Sequence, residues 1–182
     1  NSKYFLEITA SKIITFGING GQIKTESISG NSFVVNGVQF NLNLLGKFNI
    51  YNALSSIAVA KNYGISLEVC KKALEKVRNL PGRMEIVNEK PLVVVDYAHT
   101  PEQLEQAYKS FDGKNLICVL GSCGGGRDKW KRPVLGQIAQ KYCKEIIITN
   151  EDPYDEDPWE IIEQVASGIK NSENEYHLVL DR

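Results

Sequence analysis

LVVVDYAHTP (residues 92–101) and LICVLGSCGGGRDKWKRP (residues 116–133) are the two segments that decide the fold. Each begins as a run of apolar and β-branched residues, which predicts a buried strand. Each then changes to polar, charged or glycine residues just before a helix start. In open parallel sheets ligands bind at the carboxyl edge of the strands, so we expect the functional site there.

The sequence from residue 92 onward alternates between strand and helix patterns. We predict strands at 92–96, 115–120, 145–149 and 176–180, and helices at about 101–111, 133–142 and 158–170. Thr100-Pro101 and Asp157-Pro158 mark two helix starts, each with an N-cap residue followed by proline. The continuous β-branched strands are typical of strands covered on both faces. We therefore predict an α/β fold with a Rossmann-like, mostly parallel sheet and flanking helices.

The preceding part of the chain has a different pattern. Residues 4–45 contain short β-prone runs, and Asn36-Gly37 is typical of a tight hairpin turn, which together predict a small antiparallel sheet. Two helices should follow, one along residues 50–61 that ends at Gly64 and one that begins at Ser66. Pro81-Gly82 stops the second helix, so we place a domain boundary between about residues 79 and 91.

Composition excludes several classes of protein. The 182 residues are 42% hydrophobic and 24% charged with a net charge of −1, which indicates a globular chain without a field to attract nucleic acid or an anionic membrane. No apolar run reaches the roughly 18 residues of a membrane span, and the first residues do not resemble a signal peptide. The four cysteines form no Cys-x-x-Cys pair, so we expect reduced thiols without a metal site.

The glycine-rich loop after residue 120 does not fit the common phosphate-binding motifs. Arg127 stands where the Gly-x-x-x-x-Gly-Lys-Ser/Thr motif requires lysine, and the spacing also departs from Gly-x-Gly-x-x-Gly. Four cations lie within six residues: Arg127, Lys129, Lys131 and Arg132. At a helix N-terminus such a cluster suits a phosphate or a carboxylate. The alternative is a solvated basic loop, although three adjacent glycines favour the close approach of another group.

Polar residues at the other predicted strand ends allow two interpretations. Asp96 and His99 could face ligand hydroxyl groups, or they could be a turn aspartate and a hydrogen-bonded histidine. The third strand is followed by an acidic patch of opposite sign to the basic loop: Glu151, Asp152, Asp155, Glu156 and Asp157. Opposite charges at neighbouring strand ends are suited to a zwitterion such as an amino acid.

Three further polar residues precede the predicted sheet. Asn49 and Asn52 could cap a helix. Arg83 could form an exposed ion pair with Glu85.

Four segments in this order resemble the Mur ligases, most closely the UDP-N-acetylmuramoyl-tripeptide synthetases. They are GKFNIYNA (46–53), PGRME (81–85), VDYAHTP (95–101) and GGGRDKWKRP (124–133). The resemblance spans roughly residues 12–182. It implies that residues 1–82 belong to a central ATP-binding domain and residues 83–182 to a carboxyl-terminal Rossmann-like domain, with a hinge near 79–91.

The resemblance also implies a reaction and a set of site residues. ATP would phosphorylate the terminal carboxylate of a UDP-muramoyl dipeptide, and the amine of an amino acid would attack the acyl phosphate in the cytoplasm. Catalysis would fall to Arg83 and Lys129, with Mg²⁺ bound by the family's amino-terminal part. Nucleotide contacts would come from Asn49, Asn52, Arg83, Asp96 and His99, and amino-acid contacts from Arg127, Asp152 and Tyr154.

Two departures from the family pattern lead to further expectations. The family's Gly-Lys-Thr phosphate loop, magnesium ligands and modified lysine match no part of this sequence, so we expect an inactive fragment that needs the remaining domains. The family members that add diaminopimelate carry Asp-Asn-Pro-Arg where NEDPY (150–154) stands here. Asp152 replaces the asparagine and Tyr154 the arginine, which favours a basic acceptor such as lysine.

Two other functions stay open. A folylpolyglutamate- or cyanophycin-type ligase shares the asparagine helix and the strand-end aspartate, although the basic run 127–133 favours the tripeptide type. A non-catalytic module that binds a nucleotide or an amino acid is the third possibility.

Overall fold

The computed structural model describes residues 6–170 and 175–181. The chain divides into two compact units, Asn1–Val95 and Asp96–Arg182. Within the described residues, no helix has the length and apolar character needed to cross a membrane.

The first unit contains the predicted small antiparallel sheet and two helices. Its elements are β1 (Phe16–Gly17), β2 (Ile23–Lys24), β3 (Ser27–Ser29), β4 (Ser32–Val35), β5 (Val38–Asn41), α1 (Phe48–Asn62), α2 (Leu67–Leu74), β6 (Glu85–Glu89) and β7 (Leu92–Val95). Strands β3, β4 and β5 form one antiparallel sheet, and β1 pairs with β2 in parallel. This part of the predicted architecture is confirmed.

The β4–β5 hairpin forms because its turn residues accept left-handed backbone angles. Asn36 has a φ of 47° and Gly37 a φ of 73°, as the predicted tight turn requires. Phe33 and Phe40 then face each other across the two strands, with stacked rings whose centroids are 5.0 Å apart. Both rings are buried in the core that the sheet shares with α1.

Helix α1 presents one apolar face to that core, and its buried positions follow the predicted helical period. The buried apolar residues are Ile50, Ala53, Leu54, Ile57 and Ala58, and Asn49 is buried beside them. Gly64 follows the helix with a φ of 78°, the left-handed conformation expected of a terminating glycine. Ser66 then caps α2 by accepting a hydrogen bond from the Val69 amide at 3.4 Å.

The second unit is built around a parallel sheet. Its elements are α3 (Pro101–Lys109), β8 (Leu116–Leu120), α4 (Lys131–Tyr142), β9 (Cys143–Thr149), α5 (Pro158–Ala166) and β10 (Glu175–Val179). The strand order is β10-β9-β8, and both pairings are parallel. Thr100 and Asp157 cap α3 and α5 as predicted, each followed by a proline.

Strand β7 does not join this parallel sheet, so the prediction of four parallel strands was wrong. The structure pairs β7 with β6 in an antiparallel hairpin. Only residues 90 and 91 separate the two strands. Because this connection is so short, antiparallel pairing of β6 with β7 has a low entropic cost of loop closure. The division between the units falls after this hairpin, at Val95. The assignment of domains to residues 1–82 and 83–182 stays a prediction.

The helices of the second unit cover one face of its sheet. Residues from α3, α4 and α5 share a buried core with Cys118, Leu120, Ile146 and Ile148. The opposite face carries Ile117 and Val119, which are 65% and 64% exposed. The strands follow one another in a single direction across the sheet, and right-handed crossovers then place successive helices on the same side. The expectation of strands covered on both faces was therefore wrong.

Two glycines allow α4 to approach the end of α5 closely. A Cβ at Gly136 would collide with the carbonyl oxygen of Val165, and a Cβ at Gly168 would collide with the carbonyl oxygen of Pro133. Both obstacles are backbone atoms, which cannot move aside as a flexible side chain can. The close spacing of these two helices therefore requires that positions 136 and 168 carry no side chain.

We expect Gly136→Ala to destabilise the second unit by about 1–3 kcal/mol, the usual cost of overpacking. In an unobstructed helix the same change would stabilise by about 1 kcal/mol, so the sign of the effect tests the contact. Urea unfolding followed by tryptophan fluorescence would measure it, because Trp130 and Trp159 are the chain's two tryptophans and both lie in this unit.

Gln137→Ala is the matched control, since Gln137 is the exposed neighbour of Gly136 on the same helix. Its effect should stay within about 0.5 kcal/mol of zero. A Gly136→Ala protein as stable as the wild type would contradict the proposed close packing.

Candidate functional site

Two loops meet at the carboxyl edge of the parallel sheet. We call residues 121–126, which follow β8, the glycine loop, and residues 150–157, which follow β9, the acidic loop. Because β8 and β9 are parallel neighbours, both loops leave the same edge of the sheet. The Gly124 amide donates a hydrogen bond to the carbonyl oxygen of Asp152 at 2.9 Å. The contact between the two predicted strand ends is therefore direct.

The glycines of this loop leave room for the acidic loop to approach closely. A Cβ at Gly124 would collide with the carbonyl oxygen of Pro153, and one at Gly125 would lie 2.9 Å from the ring of Tyr154. Gly125 and Gly126 also have φ values of 69° and 70°, which side-chain-bearing residues adopt rarely. The close approach expected of three adjacent glycines is thus made by the acidic loop itself.

A fully buried arginine ties the two loops together. Arg132, at the start of α4, is 0% exposed. Its Nη1 and Nη2 atoms lie 3.0 and 3.2 Å from the two carboxylate oxygens of Glu156. It also donates to Gln164 Oε1 at 2.7 Å and to the carbonyl oxygen of Cys123 at 3.0 Å. Its Nε hydrogen finds no acceptor among the described residues.

Glu156 is the central acceptor of this network. Besides Arg132, it pairs with Lys129 Nζ at 2.8 Å and accepts a hydrogen bond from the Gly126 amide at 3.4 Å. The Arg132 guanidinium first, and the Lys129 ammonium next, lower the pKa of the Glu156 carboxyl from its usual 4.5 to about 2. The carboxylate is therefore charged throughout the neutral range.

The predicted amino-acid ligands lie around this network. Arg127 and Asp152 are exposed. Tyr154 is 66% exposed, has a φ of 54° and lies against Gly125. Lys129, predicted as a catalytic cation, is paired with Glu156. The structure thus places all four predicted residues on the two facing loops or within three residues of them.

Charges of both loops act on the Cys123 thiol. Burial first, and then the carboxylates of Glu151 and Asp152, raise the pKa of this thiol, while Arg127 opposes the shift. Both carboxylates and the guanidinium are therefore within electrostatic reach of one sulfur atom. Cys123 has no Cys-x-x-Cys partner, so nothing in the sequence indicated this environment.

The segment around Asp96 and His99 contacts the basic run. Asp96 Oδ1 accepts from the Ala98 amide at 2.8 Å, the arrangement of a turn aspartate. His99 Nδ1 lies 3.0 Å from the carbonyl oxygen of Tyr97, which can only accept, so Nδ1 carries the hydrogen. Lys131 Nζ donates to the carbonyl oxygen of His99 at 3.1 Å. The segments predicted for the nucleotide and for the amino acid are therefore joined by a hydrogen bond.

Asn49 and Asn52 lie in the first unit and contact each other. Asn49 is 7% exposed and donates to the carbonyl oxygen of Leu45 at 2.7 Å, and its own Oδ1 accepts from Asn52 Nδ2 at 3.0 Å. The N-cap position of α1 is Lys47, without a side-chain capping bond. The alternative that an asparagine caps this helix was therefore wrong.

Arg83 is an exposed residue in the turn that precedes β6. Its amide donates to the carbonyl oxygen of Leu80 at 2.9 Å. Glu85 accepts from the Gly82 amide at 2.7 Å and from Asn79 at 3.2 Å, so its carboxylate helps to hold this turn.

Sequence reasoning missed the two residues that organise the loops. Arg132 was one of four cations and Glu156 one of five acids, and neither was singled out. The available signal was the opposite sign of the charges at adjacent strand ends, since a buried charge requires a partner. Gln164 carried no such signal, because its contribution depends on how α5 packs.

The sequence of this chain is similar to the sequences of one family of known proteins. The protein family described as the Mur ligase, glutamate ligase domain, matches residues 82–182. The UDP-N-acetylmuramoyl-L-alanyl-D-glutamate–2,6-diaminopimelate ligase of Alkaliphilus oremlandii is 38% identical in an alignment 185 positions long, which covers 93% of this chain and 38% of that protein. The chain therefore spans well under half the length of this relative.

Solved structures give the same fold. A UDP-N-acetylmuramoyl-L-alanyl-D-glutamate–2,6-diaminopimelate ligase aligns with a TM-score of 0.55 and 30% identity over 94% of this chain and 38% of that one. The UDP-N-acetylmuramate–alanine ligase of Thermotoga maritima aligns with a TM-score of 0.71 at 24% identity, over 92% of this chain and 39% of that one. At that identity the second similarity concerns the fold alone.

The lowered pKa of Glu156 predicts a specific loss of stability in acid. A depressed carboxyl pKa contributes stability that is complete above the unfolded value near 4.5 and is lost as the pH falls toward about 2. The wild type should therefore exceed Glu156→Gln in stability at neutral pH, and the difference should shrink between these two pH values.

Urea midpoints at neutral pH and at pH about 3 would measure this difference. Glu105, whose pKa is also lowered to about 2 by Lys141 first and then Tyr142, is present in both proteins, so its titration cancels. A difference in stability that is equal at both pH values would contradict the Glu156 assignment.

Proposed function

The chain belongs to the Mur ligase family, and on that premise we propose that it is part of an ATP-dependent ligase of peptidoglycan synthesis. The ligase would add an amino acid, of the diamino class, to UDP-N-acetylmuramoyl-L-alanyl-D-glutamate. The observation that carries the proposal is the direct contact of a basic and an acidic loop at one sheet edge. The names of the relatives supply the chemistry of the dipeptide substrate.

The proposed reaction has two steps. ATP transfers its terminal phosphoryl group to the free carboxylate of the dipeptide, which gives an acyl phosphate and ADP. The amine of the incoming amino acid then attacks the acyl carbon, and phosphate leaves as the amide bond forms. Negative charge develops on phosphate and on the tetrahedral centre, so positioned cations are the main contribution expected of the protein.

We assign the nucleotide to the asparagine pair and the Asp96 segment. Asn49 and Asn52 would contact the adenine, Asp96 would accept from the ribose hydroxyl groups, and His99 would lie beside the nucleotide. The Asp96 carboxylate is oriented by the hydrogen bond that it accepts from the Ala98 amide at 2.8 Å, and a carboxylate is an acceptor of the kind that ribose hydroxyl groups require.

The two proposed catalytic cations are Arg83 and Lys129. Arg83 would contact the phosphates of ATP. Lys129 would stabilise the charge that develops near the acceptor, and its ion pair with Glu156 supports this role by holding the ammonium beside the glycine loop.

The described residues contain no preformed cluster of metal ligands. Among residues 6–170 and 175–181, no group of three or more His, Cys, Asp or Glu side chains is arranged to hold a metal ion. The 182-residue sequence also lacks a Gly-Lys-Ser/Thr phosphate loop. We therefore assign both tasks to other parts of the complete ligase, and we expect this chain alone not to turn over. We place the reaction in the cytoplasm, where ATP is available.

We infer that the acceptor is a basic amino acid such as lysine. Arg127 would bind its carboxylate, and the acidic loop, with Asp152 exposed, would attract its ammonium group. Tyr154 stands where diaminopimelate-adding members carry arginine, so a second carboxylate would lack a cationic partner. The relatives named above act on 2,6-diaminopimelate, which makes the acceptor the point to test.

Ligation assays with the complete enzyme should therefore show a higher kcat/KM for lysine than for meso-diaminopimelate. Tyr154→Arg should shift the ratio toward diaminopimelate by roughly tenfold or more, because it restores a charge-assisted pair worth about 1.5–3 kcal/mol. Tyr154→Phe is the matched control and should leave the ratio unchanged. A clear wild-type preference for meso-diaminopimelate would refute the acceptor assignment.

If Asp96 binds the ribose of ATP, its replacement should affect the KM for ATP and not the KM for the amino acid. Asp96→Ala in the complete enzyme should raise the KM for ATP by about tenfold, the loss of one charged hydrogen bond, and change the KM for the amino acid much less. Asp112→Ala is a suitable control, since Asp112 is an exposed turn aspartate of the same unit. The reverse pattern of KM values would overturn the assignment.

A further inference from the structure

Arg132 is buried in a position where a charge is expensive. Its side chain is 0% exposed, and an unpaired guanidinium in such a place would be strongly destabilising. The side chain is also aimed at groups of the candidate site, with four hydrogen bonds of 2.7 to 3.2 Å. Arginine suits this task because its planar fork can bind several acceptors at once.

The partners of Arg132 come from three separate segments. The Cys123 carbonyl belongs to the glycine loop, Glu156 to the acidic loop and Gln164 to helix α5. Glu156 in turn accepts from the Gly126 amide. The guanidinium therefore holds the glycine loop at two points, directly at Cys123 and through Glu156 at Gly126.

The second of these points immediately precedes Arg127. Gly125 and Gly126 have left-handed φ values, and a loop of glycines has little stiffness of its own. The backbone position from which Arg127 projects is then set by the anchor at Gly126. A displacement of that anchor would move the Arg127 guanidinium relative to Asp152 and Tyr154 across the loop contact.

We propose that Arg132 is a positioning residue for acceptor recognition, which fixes the glycine loop through Cys123 and Glu156 and thereby places Arg127 against the carboxylate of the incoming amino acid. The inference rests on the proposed ligase function and deepens it. Arg132 does not touch the substrate in this scheme. Its contribution is to make a loop of flexible residues behave as a rigid binding surface.

A purely structural role would give a different kinetic signature. If Arg132 only stabilised the fold, its replacement would reduce the amount of active enzyme and lower the apparent kcat while both KM values stayed the same. A positioning role raises the KM for the amino acid selectively, because the ATP contacts assigned above involve other residues.

The test uses the complete ligase with Arg132→Lys and Glu156→Gln. Lysine keeps the charge but loses the fork, and glutamine keeps an acceptor but loses the charge. Either change should raise the KM for the amino acid by roughly tenfold to a hundredfold, the cost of a binding group misplaced by about 1 Å. The KM for ATP should stay within about twofold of the wild-type value.

Glu105→Gln is the matched control. Glu105 is a second glutamate with a pKa lowered to about 2. Its carboxylate pairs with Lys109 of α3 at 3.4 Å and with Lys141 of α4 at 3.0 Å. Its partners include no residue of the glycine loop. The substitution should therefore leave the KM for the amino acid unchanged, although it removes a comparable charge.

A double-mutant cycle shows whether Arg132 acts through Arg127. Arg127→Ala alone should raise the KM for the amino acid, and adding Arg132→Lys should raise it no further. Unfolding transitions followed by tryptophan fluorescence establish that each variant is folded, and Glu156→Gln keeps the test decisive if Arg132→Lys does not fold.

Three outcomes would overturn the inference: additive effects of Arg127→Ala and Arg132→Lys, equal increases in both KM values, or an unchanged KM for the amino acid. Failure of the proposed function is a separate result. In that case the wild-type ligase would form no amide product with any amino acid, whatever the state of Arg132.

Discussion

A charge that is withdrawn from water must be paired, and the ion pair between Arg132 and Glu156 meets this requirement at the edge of the parallel sheet. The pair explains why the two loops approach each other. The burial of Arg132 brings its partners together from the glycine loop, the acidic loop and α5. The candidate site is therefore organised around one buried charge rather than around its exposed residues.

Local signals predicted most of the secondary structure, and non-local pairing accounts for the errors. The turn at Asn36-Gly37 and the cap at Thr100 act within a few residues, so their effect can be read from the sequence. Strand β7 could pair with a strand nearby in the sequence or with a distant one, and a run of valines is compatible with both pairings. Coverage of the sheet likewise depends on crossover direction rather than on the apolar character of Ile117 or Val119.

The candidate site was predictable in its location and less so in its internal order. Residue types at strand ends indicated Arg127 and Asp152, because the edge of a parallel sheet follows from strand direction alone. Tyr154 was indicated only by the resemblance to the Mur ligases. The pairing of Lys129 with Glu156 could not be read in the same way, since it depends on side-chain geometry across 27 positions of sequence. Charge pattern identifies which groups need partners, and packing decides which partners they obtain.

The glycine loop also limits how this family of sites can diversify. Gly124 has no room for a side chain beside Pro153, and Gly125 and Gly126 have backbone angles that favour glycine. Side chains at these three positions would disturb the loop itself before they could contribute new chemistry. A change in the chemistry of the site is therefore accommodated more easily in the facing loop, where the side chain of Tyr154 is 66% exposed.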